Sequence, residues 1–234
     1  IDHSFEPALT LDISDLNLSV SKISLTEAFP FVVEAAVLSA TKNIRIEGKA
    51  RINPKTNELT FSDLKGATDL SSLLIEKIPT TFPMVEEAIL PASIKGKVDF
   101  ALGELIIGTS GLLDLSADAT LTNGSLQLKE LALPVKDIGM DVKITRDQIL
   151  VDKLSAGIGQ GSLQASGSIQ DYLKRQDYNL TAGAENLNIQ ELINQDKSAI
   201  KAEGIASLNM RLKGEGFSQQ ALVSNLSGEA NITV

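Results

Sequence analysis

The chain has 234 residues, long enough for one large or two ordinary domains, and its 43% hydrophobic residues can supply an extensive core. It has no cysteine, no tryptophan and one histidine, which excludes disulfides, thiol nucleophiles and zinc clusters. A net charge of -9 disfavours a nucleic-acid backbone, because phosphate binding needs clustered Lys and Arg that release counterions.

Taken in chain order, the N-terminus alternates: Leu9, Leu11 and Ile13, then Leu16, Leu18 and Val20, then Ile23 and Leu25. Each change of phase inverts the buried face, as at a bulge or a tight turn. Residues 26–43 read as strand through Phe31-Val32-Val33 and Ala35 to Leu38. A strand around Gly48 follows, and Asn53-Pro54-Lys55-Thr56-Asn57 turns it into Leu59 and Phe61 as a hairpin.

Residues 69–90 are the one helical stretch. Asp69 is a candidate cap for a face of Leu70, Leu73, Leu74 and Ile78 stopped by Pro79. Pro83 opens a second turn with Met84, Val85, Ala88 and Ile89. The expectation is a connection packed on the core, since Glu76, Glu86 and Glu87 would be repelled by anionic headgroups.

From residue 93 onward the pattern is nearly all strand. Val98, Phe100 and Leu102 alternate, as do Leu113, Leu115, Ala117, Ala119 and Leu121, and Asn123-Gly124 predicts a hairpin turn before Leu126 and Leu128. Ile138, Met140, Val142 and Ile144 form another run, turned by residues 145–148 into Ile149 and Val151. Ile200 to Leu212 is the longest run, about 43 Å at roughly 3.3 Å per residue. Asn188-Ile189-Gln190-Glu191 has the form of a capping box, and Phe217 before Ser218 that of a hydrophobic staple to Leu222.

A mid-strand glycine recurs at Gly48, Gly96, Gly167, Gly204 and Gly228 where an apolar side chain would otherwise stand. Glycine inside a strand marks a bend, a bulge or a close backbone approach, so its return predicts a sheet that curves. The expected fold is therefore mainly β, with long antiparallel amphipathic strands in a curved sheet, elongated groove or sandwich, and a few short capping or connecting helices. Residues 1–92 form an N-terminal β segment ending in the helical pair, and 93–234 a second β-rich segment, in one continuous sheet.

Chemistry is poorly supplied. His3 stands alone, Asp99, Asp114, Asp118 and Asp141 fall on the wet face of their strands, and Tyr172 and Tyr178 are too few to make sugar platforms. Gly157-Ile158-Gly159-Gln160-Gly161 reads as a turn rather than a phosphate loop, because no suitable helix follows it. No catalytic, metal or cofactor site is expected. The residues expected to line an apolar groove or core are Leu113, Leu115, Leu121, Ile138, Met140, Val142, Ile144, Leu208, Met210 and Leu212.

The segments from Leu9 to Leu18, from Ala117 to Leu126, and above all from Leu212-Lys213-Gly214-Glu215-Gly216-Phe217 to the restart Leu226-Ser227-Gly228-Glu229-Ala230 resemble the AsmA-like proteins of Gram-negative envelopes. That resemblance implies an elongated β-groove with an apolar interior, and a periplasmic location with an inner-membrane anchor outside this fragment. It also implies a non-enzymatic role in phospholipid transport or outer-membrane assembly. The partners expected from it are phospholipid acyl chains and envelope proteins, with no nucleic acid. The alternative is a β-rich surface scaffold or adhesin segment that binds protein rather than lipid. Ile1 in place of an initiator Met, and an alternation still running at Val234, lead us to expect a piece of a longer chain.

Overall fold

The computed structural model describes residues 12–81, 90–109, 111–129, 131–172, 174–192, 203–216, 221 and 224–234. Twelve antiparallel strands form one open sheet in which spatial order equals chain order. They are β1 (Ile13–Val20), β2 (Phe29–Val37), β3 (Ile44–Asn53), β4 (Glu58–Asp69), β5 (Ser93–Gly108) and β6 (Gly111–Gln127), continuing as β7 (Val135–Thr145), β8 (Gln148–Ile158), β9 (Gly161–Gln170), β10 (Asp177–Asn188), β11 (Ile205–Glu215) and β12 (Ser227–Thr233). Helical pieces accompany them, among them the one-turn helices α1 (Ile78–Thr81) and α2 (Ile189–Leu192). No helix among the described residues is long and apolar enough to cross a membrane.

Side chains alternate across a strand, so antiparallel pairing in register sorts the whole sheet into two faces. One row can be followed from edge to edge: Leu18, Val33, Ile46, Gly66, Phe100, Ala119, Val142, Val151, Gly167, Leu180, Leu212, Gly228. A second row, one pair along, reads Ala35, Ile44, Thr68, Val98, Leu121, Met140, Leu154, Ala165, Ala182, Met210, Ala230. Only Thr68 in these two rows carries a polar group. The predicted wet-face carboxylates Asp99, Asp114, Asp118 and Asp141 are all exposed on the other side.

The two ends of the sheet differ. At one end the connections visible in full are short, as at residues 54–57 and 146–147, and Tyr172 Oη donates to the Thr145 carbonyl at 3.2 Å to tie neighbouring turns together. At the other end lie the helical pieces. The segment after β4 begins as two 3-10 turns, Leu70–Ser72 and Ile75–Lys77, before α1. Asp69 caps the first by accepting from the Ser71 amide at 2.9 Å, and Leu74 N–H reaches the Leu38 carbonyl at 2.7 Å. Lys77 Nζ bonds Asp12 at 2.6 Å, pinning the segment over the ends of β1 and β2. Pro79 does not stop this helix but sits at its second residue, where the missing N–H has no intrahelical partner to lose. The expected second turn, with Met84, Val85, Ala88 and Ile89, lies outside the described residues, as does the staple of Phe217 and Leu222. Asn188 caps α2, though not as a reciprocal box: its Oδ1 accepts from the Gln190 amide at 3.2 Å, and its side-chain Nδ2, not its backbone N–H, donates to Glu191 at 2.9 Å.

Two expectations are corrected. Asn123-Gly124 makes no hairpin, because β6 runs straight through it; Asn123 takes φ 51° within a bulge between Leu121 and Gly124. The left-handed backbone that suits Asn in a two-residue turn serves equally in a bulge, and register against Ile138 and Val135 keeps the strand going. The longest strands are β5 and β6, of 16 and 17 residues, whereas β11 has 11 and starts only after Gly204. Gly204, just before β11, adopts φ 127°, and residues 200–202 of the expected run lie outside the described residues. Of the recurring glycines, Gly48, Gly96 and Gly167 are mid-strand, and Gly228 is the second residue of β12.

Two clusters of buried apolar residues stand out among the described residues, and Ala36, Leu38, Ser39 and Thr81 are buried as well. Phe29, Phe31, Ala50 and Leu64 are buried on β2 to β4, with Val33, Ile46, Phe61, Leu102 and Leu105 against them. Val135, Ala156 and Ile158 are buried near the helical end, under Leu131, Leu133 and Leu192.

Candidate functional site: an open apolar face

The apolar face changes character along the sheet. On β2 to β4 part of it covers itself, burying Phe29, Phe31, Ala50 and Leu64, while Val33, Ile46, Phe61 and Phe100 stay half-buried. Phe31 and Phe61 meet edge to face at a centroid distance of 5.6 Å and 73°, worth about 0.5–1.5 kcal/mol beyond the area they bury. The Phe100 ring folds over its cross-strand partner Gly66, so closely that a Cβ there would lie 2.2 Å from it. Glycine at that position is what lets the aromatic lie flat.

On β6 to β12 the same face carries mostly Ala, Val, Leu, Ile and Met, which are too short to cover one another, with one aromatic, Tyr178, lying over its cross-strand partner Gly214. Val142, Val151, Leu180 and Leu212 are half-buried, and at the edge Ile232 is 70% exposed. No large side chain anywhere among the described residues is fully buried, and no second sheet covers either face there. Long amphipathic strands thus give a single layer rather than a sandwich.

The residues predicted from the sequence to line a groove or core divide as follows. Leu115, Leu121, Ile138, Met140, Val142 and Ile144 are half-buried, and cross-strand pairing brings Leu121 to Met140 and Met140 to Leu154. Leu208, Met210 and Leu212 are half-buried on the same face, opposite Ala184, Ala182 and Leu180. Leu113 lies at the irregularity between the Asp114 and Leu112 pairs of β6, and its side chain is outside the described ones.

Not assigned to the groove from the sequence were Ile149, Val151, Gly167, Ile169, Leu180 and Leu226. With Tyr178 and Leu212 they line a recess of about 360 Å³ on the apolar face. Gly167 forms its floor: a Cβ there would come within 2.6 Å of the Asn179 carbonyl, and its bareness leaves the hollow between Val151 and Leu180. The signal for it was the alignment of glycine with the apolar row, which needs the register of three strands to be read.

The opposite face is wet and ionic. Lys143 Nζ lies 2.7 Å from Asp152, which raises the lysine's pKa through the hydrogen bond and charge of that carboxylate. Lys49 and Asp63 pair at 2.8 Å, raising the lysine and lowering the carboxyl. The Ser71 hydroxyl and amide hold Asp69 below the usual carboxylate range. Among the described residues, no three His, Cys, Asp or Glu side chains come together as a metal-binding group.

Compared with known families, the profile of the AsmA family matches residues 5–234. The chain belongs to the AsmA family. Membership associates an AsmA-family chain with the bacterial envelope and with lipid-related roles. No curated protein and no solved structure matches this AsmA-family sequence.

Proposed function

We propose that this chain is a periplasmic segment of an AsmA-family protein that handles phospholipid through its open apolar face, without catalysing a reaction. In this reading the parent protein is anchored in the inner membrane outside the segment, and the acyl chains lie along the sheet in passage toward the outer membrane.

The observation that carries the reading is the apolar row unbroken across twelve strands whose side chains, from β6 onward, are left half-exposed. An isolated sheet gains nothing from leaving such a face to water. Each methylene an acyl chain buries there contributes about 0.8 kcal/mol, so the face favours a hydrocarbon guest over solvent. Monomeric soluble proteins rarely leave large contiguous apolar patches uncovered. The wet outer face supports the same arrangement, since it keeps the guest-free side in solvent.

Native mass spectrometry of the protein released from bacterial membranes tests this. Phospholipid adducts are expected. Clean apoprotein together with a co-purifying protein partner would instead favour the scaffold reading.

A further inference from the structure

The wet face also changes along the sheet. On β2 to β5 charges are tied to one another, Arg45 to Glu34, Lys49 to Asp63 and Lys97 to Asp99. On β8 to β11 the wet face sinks instead into a recess of about 480 Å³ around Gly183. Gln164 lies opposite Gly183 and Gly183 opposite Asn209, one residue along from the apolar row of Ala165, Ala182 and Met210, so the recess opens away from that row. Five uncharged side chains line it, Ser162, Gln164, Ser166, Thr181 and Asn209, and none of the five side chains has a hydrogen-bond partner among the described residues. Charge around them is balanced: Asp152 is paired with Lys143, which leaves Lys153 and Glu185 as one charge of each sign.

Gly183 is itself a departure from what the fold requires. A Cβ at Gly66 would lie 2.2 Å from the Phe100 ring and one at Gly167 2.6 Å from the Asn179 carbonyl, so packing demands glycine at both. At Gly183 a Cβ would meet only the Asn209 Oδ1 at 3.2 Å and the Leu208 carbonyl at 3.8 Å, and the backbone there is not left-handed. Glycine inside a strand costs stability, and where neither packing nor conformation calls for it, its use is to let a ligand approach the sheet closely.

From these two observations we infer that the recess binds a short stretch of uncharged glycan, seated over Gly183 with its hydroxyl and acetamido groups bonded to the amides of Gln164 and Asn209 and the hydroxyls of Ser166 and Thr181. The site lies on the opposite face from the proposed acyl-chain surface and does not depend on it. The lining selects the ligand class. Hydroxyls and carboxamides each offer donors and acceptors, as sugar hydroxyls do, so the two sets satisfy one another. An anionic ligand would need clustered cations, which the balanced Lys153 and Glu185 do not provide, and an apolar guest would leave the same polar groups buried without partners. A peptide pairs best through its backbone at a sheet edge, whereas here the ladder bonds of β8 to β11 are already made and only side chains are on offer. The volume falls within the range of small-ligand sites. Among the described residues no aromatic ring lines the recess, so recognition rests on hydrogen bonds and the binding is weak.

The test titrates the purified, isotope-labelled chain with the uncharged trimer of N-acetylglucosamine and follows backbone and side-chain amides by NMR. Saturable shifts are expected at Gly183, Gln164, Thr181 and the Asn209 carboxamide, and none at Phe31 or Phe61. Gly183→Val, which fills the recess with a residue suited to a strand, is expected to weaken binding several-fold with a melting temperature unchanged or raised. Gln164→Ala, which removes one carboxamide, is expected to weaken it as well and stands in if the Val variant unfolds. A sulfated disaccharide and an end-capped, uncharged tripeptide are each expected to bind more weakly than the trimer. No saturable shift at the recess, or binding undiminished in both variants, would overturn the site. Equal or tighter binding of the tripeptide would overturn the glycan assignment in favour of a peptide, and equal or tighter binding of the sulfated sugar would overturn the preference for an uncharged ligand.

Discussion

The strands β2 to β5 and the strands β7 to β12 share one alternating pattern and one continuous sheet, yet they do different things with their apolar face. In the first region Phe29, Phe31 and Leu64 are buried to between 5% and 9% exposure. In the second, the same face is buried only at Ala184 and at the patch of Val135, Ala156 and Ile158 beneath Leu131, Leu133 and Leu192, and its larger side chains stay half-exposed. The difference is side-chain reach. An aromatic ring laid over a cross-strand glycine covers a single-layer sheet locally, as Phe100 does over Gly66 and Tyr178 over Gly214, whereas rows of Ala, Val and Leu cannot bridge from strand to strand. Alternation therefore sets which face is apolar, and residue size sets whether that face is finished.

Mutations should separate the two regions by magnitude. Phe31→Ala removes a ring that packs against Phe61 and is expected to cost about 3–5 kcal/mol in denaturant unfolding. A cost below about 1 kcal/mol would mean that the first region is as open as the second. Leu208→Ala, by contrast, takes three carbons from a half-exposed site and should cost about 1 kcal/mol, with no cavity to add to the transfer loss. Asn123→Val should fall between or slightly above that value, about 1–2 kcal/mol, because a β-branched residue resists φ 51°; Asn123→Gly is expected to be near neutral. Equal melting temperatures for the Val and Gly variants would show that the bulge is not maintained in solution.

The smallest expected effect is on pH dependence, and it comes from the wet face. Asp63 and Asp69 have folded pKa values below their unfolded ones, so their contribution is present above the unfolded pKa and is lost as pH falls through the folded pKa, below about pH 4. Lys49 and Lys143 are raised, so theirs is present below the unfolded pKa and is lost only as pH rises through the folded one, above about pH 10.5. Stability between these limits should be flat. Removing Asp63 by Asp63→Asn should shrink the acid-side slope slightly, and a large change would show that this exposed pair matters more than such pairs usually do.

Much of this was legible in the sequence. The period-2 runs around Val98, Met140 and Leu212 identified strands and their wet and apolar sides, and Asp69 and Asn188 announced their caps through local hydrogen-bonding chemistry. What stayed hidden depended on pairing. Asn123-Gly124 has the same left-handed preference in a turn as in a bulge, and only the partner strand decides between them. Alternation also reads alike for a sandwich and a single open layer, because the pattern records that one face avoids water and not what covers it. The recess at Gly167 escaped for a related reason: its lining comes from β8, β9, β10 and β11 in a register that bulges at Val151 and Ala184 shift. The aromatic seal was missed although every one of its residues was visible, since Phe29, Phe31, Phe61 and Phe100 meet only across strands.

The central claim, that the face from β6 to β12 is open to hydrocarbon while the patch around Phe31 on β2 to β4 covers itself, is tested most directly by placing a photo-crosslinking residue at Met210 and, separately, at Phe31 in the full-length protein in cells. The account predicts phospholipid adducts at Met210 and none at Phe31. Absence of lipid adducts at Met210, or adducts of equal yield at both positions, would contradict it.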